Sequence, residues 1–305
     1  MLIVINNLFP VCALLVSGFL LKRFKLTDAH FLKIADKLIY YVFFPLLLFW
    51  KIGASNTGVA TDLNYCVAAI LAILTIYLLS AGFIYFGGVT AFQAGSFSQS
   101  CYRFNTYIGM AVIMNTYGDE GVRLFSLLIG FTIPVVNVLS VATLIWFSSG
   151  SYTLKVKIVY ILKALISNPL ILGCIAGILY AHNVGRFPLF LTNSFKLAVY
   201  ITLPLALLSI GGSLTFKGLK KKIGLALKAS AFKLIMLPLA GFIFFKLMHV
   251  TGMAFHVGMI FLTLPTSPAI YILSSQLNSE TELATAAIVL STILSSISLS
   301  LALYL

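Results

Sequence analysis

Charged side chains are scarce in this sequence: 9% of its 305 residues are Asp, Glu, Lys or Arg, whereas 61% are hydrophobic. A soluble globular domain carries roughly 25% charged residues, so this chain has too few polar side chains to cover a water-exposed surface. The sequence also lacks a polar stretch long enough for a separate soluble domain. The composition therefore excludes a soluble fold and predicts lipid as the solvent.

Acidic residues and cysteines are scarcer still. Seven Asp and Glu stand against 20 Lys and Arg, a net charge of +13. The basic residues lie in short segments between apolar stretches, where they set membrane orientation, so no nucleic-acid partner is expected. The four cysteines, at positions 12, 66, 101 and 174, lie singly without CxxC spacing. We therefore expect no disulfide, metal site or cofactor.

Apolar stretches recur along the whole chain, each about 20 residues long, which is the length that crosses a bilayer core. Their number predicts an all-α polytopic membrane protein with ten transmembrane helices. The predicted spans are residues 3–22, 31–52, 64–86, 91–117, 122–147, 164–181, 190–214, 224–247, 253–277 and 282–304.

The loops after spans 1, 5 and 7 are rich in Lys and Arg, whereas the loops of the opposite face hold isolated charges. The positive-inside rule assigns the basic loops to the cytoplasm. The sequence therefore predicts a multi-pass inner-membrane protein with both termini on the non-cytoplasmic side. The basic residues of these loops are Lys22, Arg23, Lys25, Lys33, Lys155, Lys157, Lys163, Lys217, Lys220, Lys221 and Lys222.

An internal repeat appears when the sequence is shifted against itself by 159 residues. Residues 81–86 (AGFIYF) then fall on residues 240–245 (AGFIFF), and four Pro or Gly pairs align. Each half holds five predicted spans, an odd number, so the second half enters the membrane from the opposite side. The predicted organisation is a first repeat at 1–147, a basic cytoplasmic linker at 148–163 and a second repeat at 164–305. Inverted repeats of this kind are typical of secondary transporters. The aligned pairs are Pro10 with Pro169, Gly18 with Gly177, Pro45 with Pro204, and Gly53 with Gly212.

Span 4 is too polar for a helix that faces lipid, because its centre holds Arg103, Asn105 and Thr106. A charge at mid-membrane depth costs at least about 2.5–3.5 kcal/mol on insertion scales. The acidic residues all lie near predicted helix ends, so the sequence favours an anionic substrate as the partner of Arg103. The alternative is that Arg103 snorkels or binds a backbone carbonyl.

Span 9, the repeat mate of span 4, contains Pro265 and Pro268 with Thr266 and Ser267 between them. Each proline removes a backbone donor and clashes with the preceding turn, so residues 264–268 are predicted to be unwound. The 159-residue shift places Gly109 opposite Pro268. Two broken helices would present half-helix N-termini, which attract a carboxylate. A proline kink that serves packing alone is the alternative.

Weaker predictions concern other polar and proline positions. Pro45 and Pro204 form a matched pair that is interpreted as kinks lining the crossover, with packing alone equally open. Asn137 lies near Pro134 in span 5 and is predicted to face the cavity or to bind a neighbouring side chain. Gln99 and Tyr271 are further expected cavity-lining residues.

Two motifs carry a resemblance to a known family: Asn105-Thr106-x-x-Gly109, and the segment 117–121 (YGDEG). They resemble the auxin efflux carrier family, in particular its bacterial malonate/malate-permease-like members. The resemblance implies the fold of bile acid/sodium symporters, in which spans 4 and 9 cross. It also implies a scaffold domain of spans 1, 2, 6 and 7 and a transport domain of spans 3–5 and 8–10, with elevator-like movement of organic anions.

By that resemblance, Asn105 and Thr106 contact the substrate carboxylate, and Pro265 and Pro268 mark the second arm of the crossover. The predicted substrate-binding set is completed by Arg103, Gly109, Thr266 and Ser267. The chain continues Gly109-Met110-Ala111 where the family often has Gly-x-Pro. The first break is therefore expected to depend on Gly109 and on polar side chains.

The leading function is secondary transport of a mono- or dicarboxylate. A sodium- or proton-coupled symporter of a larger amphipathic anion, such as a bile-acid-like molecule, and a membrane-embedded receptor are the alternatives. An enzyme is not predicted, because no nucleophile–base pair, metal cluster or paired carboxylates stand out. A channel is not predicted either, because a channel would spread polar residues along a pore, whereas here they are concentrated in spans 4 and 9. The expected partners are the organic anion, the lipid bilayer, H⁺ or Na⁺ as coupling ion, and a second copy of the chain in a homodimer.

Overall fold

The computed structural model describes residues 2–54, 63–147, 166–214 and 219–305, together with residues 159, 162 and 163. Most of the predicted linker 148–163 lies outside these residues. The described chain is all-α and contains no strand. Its helices are α1 Leu2–Arg23, α2 Ala29–Leu38, α3 Phe44–Gly53, α4 Leu63–Phe86, α5 Ala91–Tyr102, α6 Thr106–Phe147, α7 Pro169–Asn183, α8 Leu189–Ser213, α9 Leu219–Ala231, α10 Leu237–Leu247, α11 Gly252–Thr263, α12 Ala269–Gln276 and α13 Thr281–Ala302.

Two short π-helical turns lie immediately before prolines. Ile39–Phe43 joins α2 to α3 ahead of Pro45, and Phe232–Met236 joins α9 to α10 ahead of Pro238. Proline lacks the N–H of a helical turn, and its ring crowds the turn before it. In the wider turn the backbone bonds span five residues, so the helix continues past the proline. Pro204, in contrast, lies inside α8 on an exposed face.

The helix α6 consists of two helical segments that meet at Gly118, whose φ of 58° and ψ of −147° are not helical. Glycine adopts a positive φ at no steric cost because it has no Cβ. The change of direction falls between the spans predicted at 91–117 and 122–147.

Several helices are long and apolar enough to cross a membrane. Pro169–Asn183 and Gly252–Thr263 are apolar but shorter. The structure therefore agrees with a polytopic helical membrane protein, while the count of ten spans and the inverted repeat stay predictions. The five long stretches in the described residues are Leu63–Phe86, Ala91–Phe147, Leu189–Ser213, Lys221–Leu247 and Thr281–Ala302.

The chain divides into two compact units. Unit 1 comprises Met1–Leu63, Tyr107–Phe131 and Ile166–Leu214. Within it, α1 and α8 pack backbone against backbone, because a Cβ added at Gly18 would lie 2.1 Å from the Leu208 carbonyl oxygen, and one added at Gly211 would lie 1.9 Å from that of Leu15. Small residues allow this close approach of membrane helices.

Unit 2 comprises Asn64–Thr106, Thr132–Leu165 and Thr215–Leu305. Three aromatic rings tie α4, α5 and the second π turn together: Phe83 stacks on Phe97 at 5.3 Å, and Phe97 meets Phe232 at 6.0 Å. The polar and interrupted segments that the sequence singled out in spans 4 and 9 lie in this unit, apart from the part of span 4 that follows Thr106.

Candidate functional site

The first helix break covers residues 103–105, between α5 and α6. Arg103 leaves the helix in an extended conformation with φ −67° and ψ 149°. The Asn105 N–H donates to the carbonyl of Pro265 at 2.9 Å, whereas in a continuous helix it would donate to the residue four positions earlier. Gly109 lies inside α6, one turn beyond the break. The expectation that the break depends on Gly109 is therefore wrong: a contact with another segment takes the backbone donor.

The second break follows α11 and covers residues 264–267, with Pro268 as the cap of α12. Leu264 leaves its helix with φ −61° and ψ 148°, nearly the conformation of Arg103. The Thr266 N–H donates to the hydroxyl of Ser291 at 3.1 Å. The two departing residues are 161 positions apart, two more than the sequence shift of 159.

The two breaks are joined by hydrogen bonds. Besides the Asn105–Pro265 bond, the Thr266 hydroxyl donates to the carbonyl of Ser100 at 3.0 Å. The rings of Phe104 and Phe261 meet edge to face at 4.3 Å. A broken helix in a membrane must satisfy its freed backbone groups from other protein segments. Here each break supplies partners to the other.

Arg103 is 8% exposed and is held by two side-chain amides. Its Nη1 donates to Gln99 Oε1 at 3.2 Å, and its Nη2 donates to Asn137 Oδ1 at 3.0 Å. Gln99 is itself fixed by donating to the Gly95 carbonyl at 3.1 Å. The two amides carry no net charge, and they orient the guanidinium through its N–H donors. From the sequence alone, Gln99 and Asn137 were only weak cavity-lining candidates.

The remaining predicted site residues differ in accessibility. Asn105 and Thr266 are each 1% exposed, whereas Thr106, Ser267 and Pro268 are half-buried. The Thr266 hydroxyl donates its hydrogen bond to the Ser100 carbonyl. The Ser267 hydroxyl accepts a hydrogen bond from the Ala269 N–H at 3.3 Å, at the start of α12.

Three of the weaker predictions concern Tyr271, Pro45 and Pro204. Tyr271 is 48% exposed. Pro45 and Pro204 belong to unit 1, whereas the two breaks belong to unit 2. Their predicted role in lining a crossover stays a prediction.

Two helices begin at the breaks, α6 at Thr106 and α12 at Ala269. The first N–H groups of a helix have no partner within that helix and carry partial positive charge. At the start of α12 these groups are already bonded, because the Ala269 N–H donates to the Ser267 hydroxyl at 3.3 Å, the Ile270 N–H to the Ser267 carbonyl at 3.2 Å and the Tyr271 N–H to the Pro268 carbonyl at 3.1 Å. Among the described residues, no group of three or more His, Cys, Asp or Glu side chains could hold a metal ion.

Sequence reasoning missed Lys233, which is fully buried in the second π turn. Its Nζ donates to the carbonyl of Leu262 at 3.0 Å, in the last turn of α11 before the second break. The signal was present in the sequence, because a lysine near the middle of a span predicted at 224–247 is as unusual as Arg103 in span 4.

Comparison with known proteins identifies the family of the chain. A family model described as "Membrane transport protein" matches residues 3–303. An uncharacterized transporter of Methanocaldococcus jannaschii is 24% identical over 295 residues, covering 92% of each chain. The chain is therefore a multi-pass membrane transporter, not an enzyme, and it belongs to the membrane transport protein family, which is the auxin efflux carrier family that its Asn105-Thr106 motif resembles.

Proposed function

We propose that this transporter moves a small organic anion, a mono- or dicarboxylate of the malonate or malate type, across the inner membrane by elevator-type alternating access. The observation that carries the proposal is the Arg103 guanidinium, buried beside the first break and oriented by Gln99 and Asn137.

The chemistry of the breaks suits a carboxylate. A guanidinium presents a planar fork of donors that matches the two oxygens of a carboxylate. Burial strengthens that attraction, because the local dielectric constant is lower than that of water. Thr106 and Ser267 are half-buried hydroxyls at the starts of α6 and α12, and they supply further hydrogen bonds.

The division of the chain into two compact units supports an elevator. Such a mechanism needs one body that carries the binding site and another that stays fixed. Both breaks and Arg103 with its two amides fall in unit 2. The proposed transport domain of spans 3–5 and 8–10 is similar to unit 2, except that Tyr107–Phe131 is grouped with unit 1.

Two ion pairs support the proposed alternation of the spans across the membrane. Lys222 pairs with Glu280, and these residues lie in segments that the positive-inside rule assigns to the cytoplasmic face. Lys51 pairs with Asp119, and their segments are assigned to the opposite face. Each pair thus joins segments proposed to lie on one side of the membrane.

Uptake into proteoliposomes tests the function. Wild-type protein should show saturable uptake of labelled mono- or dicarboxylates, and Arg103→Ala should abolish it while the protein stays folded in detergent. Arg103→Lys keeps the charge but not the fork, so it should retain part of the uptake. Arg123→Ala is the matched control, because Arg123 is also buried but binds Glu120 in unit 1. Unchanged uptake by Arg103→Ala would refute the anion site.

A further inference from the structure

The C-terminal end of α11 is a helix end within a span predicted to lie in the membrane. A helix end leaves four carbonyl groups without helical partners, and each costs several kcal/mol if it is unsatisfied in a lipid environment. All four carbonyls of α11 receive a donor. The Ile260 carbonyl accepts from the Thr263 hydroxyl at 2.9 Å, and the Phe261 carbonyl accepts from the Leu264 N–H at 3.4 Å. The Leu262 carbonyl accepts from Lys233 Nζ at 3.0 Å, and the Thr263 carbonyl accepts from the Ser298 hydroxyl at 3.0 Å.

Lys233 is the donor in this set that can carry a charge. It is completely buried, and it reaches α11 from the π turn between α9 and α10. Burying an ammonium group costs several kcal/mol, far more than a serine hydroxyl that would make the same hydrogen bond. A hydrogen bond to Leu262 alone is therefore a poor reason for a lysine.

A helix C-terminus carries a partial negative charge, close to half an elementary charge, which attracts cations. In transporters with broken helices, half-helix C-terminal ends and unwound carbonyls coordinate coupling cations. We propose that Lys233 is a positioning residue of the transport cycle: its ammonium group is a tethered cation that takes the place of a bound ion and holds the end of α11 at the break.

The consequence for transport rests on the proposed function, but the structural role does not. The cation fixes Leu262 and so fixes the start of the segment that runs through Pro265 and Thr266 to Ser100 and Asn105. Loss of the charge should therefore weaken the hydrogen bonds that join the two breaks.

Three variants separate charge from shape. Lys233→Met keeps the length without a donor, Lys233→Gln keeps an N–H donor without a charge, and Lys233→Ala opens a space for a small ammonium ion. If Lys233 is a tethered cation, the Lys233→Met and Lys233→Gln variants should each lower the maximal uptake rate at least about tenfold, which corresponds to about 1.4 kcal/mol. Ethylammonium chloride, but not choline chloride at equal ionic strength, should restore uptake by Lys233→Ala. The control is Lys246→Gln, an exposed lysine on the adjoining helix α10, which should behave as wild type.

Thermal unfolding of the purified variants gives a reading that needs no substrate. Ethylammonium should raise the unfolding midpoint of Lys233→Ala by about 1–2 °C, the shift expected for roughly 1 kcal/mol in a chain of this length, and should leave the wild type unchanged. If the alanine variant is lost during purification, recovery in ethylammonium buffer supports the proposal and failure to recover it overturns it. Wild-type uptake by Lys233→Gln, or no effect of ethylammonium on Lys233→Ala, would also overturn it. If the wild type itself carries no carboxylate, the transport proposal fails, while the unfolding data still decide the role of Lys233.

Discussion

Replacing Asn137 by aspartate should supply an internal competitor for the transported anion. Asn137 Oδ1 accepts from Arg103 Nη2 at 3.0 Å, so the variant Asn137→Asp sets a carboxylate oxygen at nearly the same point. Two opposite charges about 4 Å apart attract by about 4 kcal/mol at an effective dielectric constant near 20. Desolvation of the new carboxylate offsets part of this. The remainder should be near the 1.5–3 kcal/mol of a hydrogen bond to a charged group.

That energy must be overcome before a substrate carboxylate binds Arg103, so the KM of Asn137→Asp should rise about 10- to 150-fold. Asn137→Leu removes the acceptor without adding a charge and should raise KM by less than about tenfold. The assay is carboxylate uptake into proteoliposomes over a range of substrate concentrations, with thermal unfolding as the check on folding. The electrostatic account is refuted if Asn137→Asp keeps the wild-type KM, or if the leucine variant has the higher KM of the two.

Two further predictions concern packing and topology. Gly211→Ala adds a Cβ 1.9 Å from the Leu15 carbonyl oxygen and should destabilise the protein by about 1–3 kcal/mol. The control is Gly224→Ala, whose new Cβ has no atom within 4 Å, so it should be neutral or stabilising by up to about 1 kcal/mol. Equal unfolding midpoints for the two variants would contradict the close approach of α1 and α8. Single cysteines at Ser55, which lies outside the described residues, and at Lys220 should react with an impermeant thiol reagent from opposite faces of the membrane, and labelling from the same face would overturn the proposed orientation.

Composition and residue pattern were enough to predict a helical membrane protein, because few backbone structures can span a bilayer. Only helices and closed barrels satisfy every backbone group in a bilayer, and the apolar stretches have helical length. The family followed from a short motif, Asn105-Thr106-x-x-Gly109, whose family-level implication is confirmed by the match over residues 3–303. The second break was expected near the right residues because Pro265 and Pro268 remove backbone donors by their covalent structure.

Contacts between distant segments could not be derived in the same way. At the first break, residues 103–105, the Asn105 N–H donates to the Pro265 carbonyl, 160 positions later in the chain. The sequence left open whether Asn137 faces a cavity or binds a neighbouring side chain, and in the structure its amide oxygen accepts from Arg103. Sequence spacing carries no information on such pairs, since they depend on how helices pack.

The sequence by itself determined the solvent, the helical class, the family and the fact that spans 4 and 9 are not plain helices, because each of these depends on local composition or on the covalent chemistry of proline. The tertiary structure alone decided which groups satisfy the freed backbone of those two spans. The Thr266 hydroxyl donates to the Ser100 carbonyl, the Pro265 carbonyl accepts from the Asn105 N–H, and the buried Lys233 donates to the Leu262 carbonyl. These partners are far apart in the chain, and only the packing of helices within one unit brings them within hydrogen-bond distance.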